Sequence, residues 1–181
     1  MVTGNPEAVY GCAAVVCTAI AAGWDLKARR IPNWLTGGGV GVGLLLHLLL
    51  RGWGSAGWAL LAALVGGGVF FVFHLAGGMG AGDVKLMAAV GALAGWTHLF
   101  PILFATAFLG GLMALLLALL RGRVTETLRN VVTLGLYHCA AGPRPHPEWN
   151  IANPRALRLP YGVAIAAGTA CVFAGLWAGL G

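Results

Sequence analysis

The 181 residues allow one domain, and 59% of them are hydrophobic while 9% are charged, against roughly a quarter charged in soluble globular chains. With a mean hydropathy of +0.86, this composition excludes a water-soluble globule and makes the chain integral to a membrane. The net charge of +6 comes without a basic patch interleaved with exposed aromatics, so nucleic acid is excluded as a partner and the lipid bilayer is the solvent to reason with.

The apolar runs predict an all-α integral membrane fold of six transmembrane helices over the single domain 1–181. The first span covers about 8–24. Met1 to Glu7 has no basic residue, and Lys27, Arg29 and Arg30 follow the apolar run. That order is the reverse of a secretory signal and predicts an uncleaved span with its N-terminus outside. Asp25 to Asn33 reads as a short polar loop, in which Pro32 disfavours helix at Ile31 and suits the first turn of the next helix. A second span follows over about 34–50, a turn over Arg51 to Ser55, and a third span over about 56–76.

The glycine-rich stretch Gly77-Gly78-Met79-Gly80-Ala81-Gly82-Asp83 comes next. The fourth span, about 84–95, covers only about 18 Å as a helix, too short to cross alone. Either the glycine run adds depth or Asp83 lies below the membrane surface in a cavity lined by protein. Gly95 to His98 reads as a turn with Thr97 as helix N-cap, before a fifth span over about 99–120.

Residues 121–158 form a long loop with six arginines and four of the eight prolines. Within it Val124, Leu128, Val131 and Val132 share a helical face, which predicts an amphipathic helix on the inner membrane surface. Pro143 to Pro147 cannot continue it and reads as extended. The last span is about 159–180.

Placing the N-terminus outside leaves every lysine and arginine except Arg51 on the inner side, as the positive-inside rule requires. The loop 121–158 is then cytoplasmic, and Asp25 and Asp83, the only two aspartates, share one depth at the cytoplasmic face. Glycines recur at four-residue spacing (Gly37 and Gly41, Gly39 and Gly43, Gly91 and Gly95, Gly175 and Gly179), which predicts close helix packing. Cys12, Cys17, Cys139 and Cys171 form no CxxC pair and suggest no disulfide framework. His138, Cys139 and His146 match no zinc spacing, and neither metal nor cofactor is expected. His47, His74 and His98 lie near the predicted membrane boundaries and are assigned no chemistry.

An ionisable group in a membrane segment is a functional candidate by default. Singly, Asp83 reads as a helix cap and Asp25 as a partner for Arg29. Together at one depth, they read as a site. Two adjacent carboxylates share a proton, so one takes a proton from water while the other donates to a carbonyl oxygen, which is the chemistry of peptide hydrolysis without a covalent intermediate. Asp83 at a helix start, favoured by the dipole, is the expected ionised partner, and Asp25 at a helix end the protonated one.

Asp25 followed by Arg29-Arg30-Ile31-Pro32-Asn33-Trp34-Leu35-Thr36, then Gly80-Ala81-Gly82-Asp83-Val84-Lys85-Leu86 and a late Leu159-Pro160-Tyr161-Gly162, resembles the prepilin peptidase family of GxGD membrane aspartyl proteases. The resemblance covers essentially the whole chain. It implies an endopeptidase of the cytoplasmic (inner) membrane that removes the short basic leader of a prepilin or pseudopilin at the cytoplasmic face. It implies Asp25 and Asp83 as the catalytic pair, with Gly80, Gly82, Lys85, Pro32 and Asn33 shaping the site. Lacking an amino-terminal CxxC domain, the chain is similar to the short form that serves Flp/Tad-type pili or to preflagellin peptidases, without methyltransferase activity. Two other readings fit the same carboxylates: a small proton- or ion-coupled transporter, and a non-catalytic membrane subunit of a pilus or secretion assembly.

Overall fold

The computed structural model describes residues 5–142, 144 and 160–179, apart from the side chains of Glu126, His138 and Ala141. The expectations for Pro143 to Pro147, for His146 and for the remainder of the loop up to Leu159 therefore lie almost wholly outside the described residues. The chain forms α1 (Pro6–Ala28), α2 (Asn33–Leu75), α3 (Ala81–Leu120), α4 (Val124–Ala141) and α5 (Tyr161–Ala178), with no strand among the described residues. Four of these, α1, α2, α3 and α5, are long and apolar enough to cross a membrane.

The helix ends follow from local chemistry. Asn5 caps α1, its side chain accepting the Glu7 N–H at 3.1 Å, and Pro6 occupies the first turn, where no N–H is needed. At the other end Arg29 turns left-handed (φ 51°), and its N–H donates to the Asp25 carbonyl at 2.9 Å. Pro32 then caps α2, its carbonyl accepting the N–H groups of Leu35 and Thr36.

A straight helix of 43 residues would be roughly 65 Å long, about twice the hydrocarbon thickness, so α2 cannot run straight through a bilayer. Gly52 breaks it, with φ 79° and ψ −175°. The chain reverses there: His47 Nδ1 and Ser55 Oγ lie 2.8 Å apart, whereas residues eight apart on a straight helix are separated by roughly 12 Å along its axis. Gly95 does the same in α3, with φ 75° and ψ 178°. The proof of that reversal is at Gly66, where an added Cβ would lie 2.9 Å from Leu99 Cδ1 and 3.2 Å from the Met87 carbonyl oxygen. On a straight helix Met87 and Leu99 would be roughly 18 Å apart.

The Gly52 and Gly95 backbone region is essentially closed to residues with a side chain. Gly52→Ala is expected to cost about 1–3 kcal/mol of stability from backbone strain alone. Gly95→Ala should cost more, because its Cβ would also meet the His47 ring at 2.8 Å. Thermal unfolding of the detergent-solubilised variants checks this, and unchanged midpoints would contradict the two reversals.

The reversals put the first half of α3 between the two halves of α2. A Cβ at Gly43 would lie 2.5 Å from the Ala92 backbone, one at Gly39 would lie 3.1 Å from Ala89 Cβ, and one at Gly91 would meet the Ala62 carbonyl. Small residues let these backbones touch, which is how helices associate where lipid removes the hydrophobic drive. Of the four predicted glycine pairs, Gly39 and Gly43 are both used this way, and of Gly91 and Gly95 only Gly91 is, Gly95 being the turn itself. Gly37, Gly41 and Gly175 face open space, and Gly179 meets only its own helix. The core between the helices contains Leu86, Met87, Val90, Leu93, Ile102, Ile165 and Phe173, while Leu49, Leu64, Phe104, Phe108 and Leu120 point outward, as lipid-facing residues do.

Several boundaries differ from the sequence expectation. Asp25 lies in the last turn of α1 and not in the loop, and α3 starts at Ala81, so Gly82 and Asp83 are already helical. Thr97 caps nothing, because the turn consumes only Gly95. The cause is common: a helix satisfies its own backbone, so helices extend as far as possible and turn at single glycines. The predicted amphipathic helix is α4, which among the described helices packs against α3 and leaves Leu128, Val131, Val132 and Leu136 exposed. Of the cysteines, Cys17 alone is buried, while the other three face outward.

Candidate active site

Five chain segments meet at one end of the bundle: the end of α1, residues 29–32, and the starts of α2, α3 and α5. Asp25, in the last turn of α1, accepts the backbone N–H of Gly162 on its Oδ2 at 3.0 Å. Gly162 is in the first turn of α5, where N–H groups have no partner inside the helix and the dipole favours a negative charge. A Cβ on residue 162 would lie 3.0 Å from that oxygen and 3.1 Å from Asp25 Cβ, so glycine is what permits the approach.

Asp83 sits in the first turn of α3. Its Oδ2 accepts the Gly80 N–H at 3.2 Å, and its own N–H donates to the Gly80 carbonyl at 3.1 Å, which closes the turn reciprocally. The glycines around it have separate tasks. A Cβ at Gly80 would crowd the Asp83 carboxylate at 3.3 Å, and one at Gly82 would meet the Ile31 side chain at 3.3 Å. Ile31 can therefore lie directly on the start of α3.

Lys85 Nζ donates to Asn33 Oδ1 at 2.8 Å, tying the start of α2 to the start of α3. Pro32 sets the direction of α2 beneath that bond. The two aspartates lie close enough for Asp83 to feel the charge of Asp25. The Arg29 guanidinium acts on Asp25, and the Tyr161 phenol lies within the field of Asp83. Tyr161 is held by packing against Gly110, where a Cβ would meet its ring and hydroxyl at 3.2–3.3 Å.

All seven residues singled out from the sequence thus gather at this end. The expected asymmetry between the carboxylates does not hold in its simple form. Asp25 ends one helix but faces the N-terminus of another, so each carboxylate accepts a backbone N–H from a helix start. Tyr161 and Gly162 had no site role in the sequence reading. The signal for them was the Pro160-Tyr161-Gly162 run at the start of the last span.

The Lys85–Asn33 bond is exposed and joins the starts of the two helices next to the carboxylates. Asn33→Ala removes a charge-assisted hydrogen bond worth about 1.5–3 kcal/mol at most, less at an exposed site. It is expected to slow any reaction at the aspartates by no more than about tenfold. Steady-state rates of Asn33→Ala beside Lys85→Met check this, with both expected to fall alike. A much larger loss in one alone would mean that its side chain acts outside the pair.

Fold and site together define a multi-pass helical membrane protein with two carboxylates drawn to one end of the bundle. Among known proteins that description has a counterpart, and the chain belongs to the type IV leader peptidase family, whose model matches residues 12–115. It is 33% identical to Leader peptidase HopD of Escherichia coli over 142 residues, covering 74% of this chain and 86% of HopD. It is 38% identical over 104 residues to a Prepilin leader peptidase/N-methyltransferase of Aeromonas hydrophila, and 36% identical over 104 residues to one of Aeromonas salmonicida. Each of these two matches covers 54% of this chain, but only 36% and 35% of the Aeromonas proteins, about a third of their length. No solved structure matches the chain.

Proposed function

We propose that the protein is a membrane aspartyl endopeptidase that removes the short basic leader of a prepilin-like substrate at the cytoplasmic face of the cell membrane. The observation that carries this reading is the convergence of Asp25 and Asp83, from separate helices, on one end of the bundle. Family membership and the relatives' names support the substrate class.

In the proposed mechanism the pair holds one proton. The ionised carboxylate takes a proton from a water molecule as that water attacks the scissile carbonyl carbon, and the protonated one donates to the carbonyl oxygen. The tetrahedral intermediate collapses as the pair gives a proton to the leaving amine and takes one from a hydroxyl of the intermediate, which restores the starting state. The backbone N–H groups of Gly162 and Gly80 hold one oxygen of each carboxylate, leaving the other for water and substrate. The Lys85–Asn33 bond and Ile31 on Gly82 keep the helix starts in register.

The proposed topology has six spans, with α2 and α3 each crossing twice by way of Gly52 and Gly95, and the N-terminus outside. Lys27, Arg29, Arg30 and Lys85 then lie at the cytoplasmic end beside the aspartates, in line with the positive-inside rule. The exposed apolar face of α4 would rest on the inner membrane surface. The test is cleavage by the purified chain, in a bilayer, of a peptide with a basic leader, a glycine and an apolar run. One cut at the end of the leader is expected; no cut by correctly folded protein would overturn the proposal.

A further inference from the structure

The glycine-rich link between α2 and α3 is tied down along its backbone. α2 ends by turning left-handed at Gly77 (φ 78°), with the Gly77 N–H donating to the His74 carbonyl at 2.9 Å and the Gly78 N–H to the Phe73 carbonyl at 3.0 Å. Those two bonds close the last turn of the helix and send the chain back towards its own end. Met79 then buries its side chain in the core, with 8% of the residue exposed.

The return brings the Met79 carbonyl to His74, whose Nδ1 lies 2.9 Å from that oxygen. A carbonyl oxygen only accepts, so Nδ1 carries the hydrogen and donates it. The other side of the same peptide unit is the Gly80 N–H, which donates to Asp83 Oδ2 at 3.2 Å. A trans peptide unit is planar and its C=O and N–H point in opposite directions, so holding the oxygen fixes the line along which the N–H points. Hydrogen bonds in series also polarise one another, so the bond at the oxygen strengthens the one made by the N–H.

This plane needs holding. Gly80 has no side chain to restrict its φ, so the Met79–Gly80 peptide could flip and take the N–H away from Asp83. Burial of the Met79 side chain anchors the residue but does not choose between the two orientations of the plane. The His74 bond does choose, because a flipped carbonyl would leave the Nδ1–H behind.

We propose that His74 is a positioning residue for Asp83: by holding the Met79 carbonyl it keeps the Gly80 N–H on Oδ2 and leaves Oδ1 for water and substrate. His74 touches no reacting atom. Its kinetic effect rests on the peptidase reading, whereas the clamp itself does not.

Two substitutions separate the N–H from the ring. His74→Phe removes the donor but keeps an aromatic ring beside Phe71, whose ring centroid lies 6.2 Å from that of His74. His74→Asn removes the ring but carries an amide N–H on Cγ, where Nδ1 is attached. Hydrogen–deuterium exchange of the parent and both variants, in one bilayer, reads the loop with no substrate present. The amides of residues 77–80 are expected to exchange about tenfold faster in His74→Phe and within about threefold of the parent in His74→Asn. Leader cleavage is expected to follow the same order, with kcat down about tenfold at unchanged KM for His74→Phe and within about threefold of the parent for His74→Asn.

Unchanged exchange in His74→Phe would overturn the clamp. Faster exchange with a parental kcat would overturn the positioning role, and a His74→Asn variant as slow as His74→Phe would do the same by assigning the effect to the ring. A parent chain that cuts no leader would overturn the peptidase reading and the kinetic role with it, while the exchange rates still decide the clamp.

Discussion

Asp83→Asn is expected to lower the rate of leader removal by about a thousandfold or more, and Asp25→Asn to do the same, while both proteins still accumulate and unfold like the parent. Asparagine has the same shape as aspartate, and its carbonyl oxygen can still accept the Gly80 or Gly162 N–H that orients the native carboxylate. The helix starts therefore stay in place. What is lost is the ability to take up or deliver a proton, and general acid–base catalysis by a positioned group contributes typically about 10²–10⁴-fold. The loss should appear in kcat, with KM changed little, because a proton-transfer group acts in the transition state and not in ground-state binding. A variant that cleaves at the parental rate would remove its aspartate from the mechanism.

Gly162→Ala should be the next most damaging change, by an indirect route. The new Cβ would lie 3.0 Å from Asp25 Oδ2 and 3.1 Å from Asp25 Cβ, so the carboxylate has to shift and its bond to the residue 162 N–H lengthens. Displacements of about 1 Å at a reacting group cost roughly 10²-fold, and that is the expected fall in kcat. Alanine is a better helix former than glycine by about 1 kcal/mol, so the variant should not be less stable through its helix propensity. A parental rate would show that the approach of α5 to Asp25 does not position the carboxylate. A fall in rate matched by a fall in unfolding temperature would point to a general packing fault.

The two aspartates were legible in the sequence because charge is scarce in this chain. In a composition so apolar, Asp25 and Asp83 stand out, and counting spans brings them to one depth. The resemblance of the flanking motifs pointed to the same end of the bundle, where Gly80, Gly82, Lys85, Pro32 and Asn33 all lie. The reversals near residues 52 and 95 were also legible, but not their tightness. Glycine at positive φ turns the chain in one residue, and no run of polar residues is required.

What the sequence did not disclose depends on partners remote in the chain. Gly162 matters through Asp25, 137 positions earlier, and the Pro160-Tyr161-Gly162 run marks the residue without naming that partner. The dipole argument for the aspartates failed for the same reason, since it counted the helix that carries Asp25 and not the one that faces it. His47 and His98 looked like boundary residues. In the fold His47 Nδ1 lies 2.8 Å from Ser55 Oγ and His98 Nδ1 lies 3.6 Å from Glu7 Oε2, contacts that depend on how the chain reverses.

The central claim is that Asp25 and Asp83 act as one unit, and the doubly substituted protein tests it most directly. Single-turnover cleavage would be measured with enzyme in excess for Asp25→Asn, Asp83→Asn and the double variant, all in the same bilayer. Residues that work as a unit are not additive, so the double variant is expected to be no slower than the slower single variant. Losses that multiply, with the double variant slower by the product of the two single effects, would show that the carboxylates act independently and would contradict the shared-proton account.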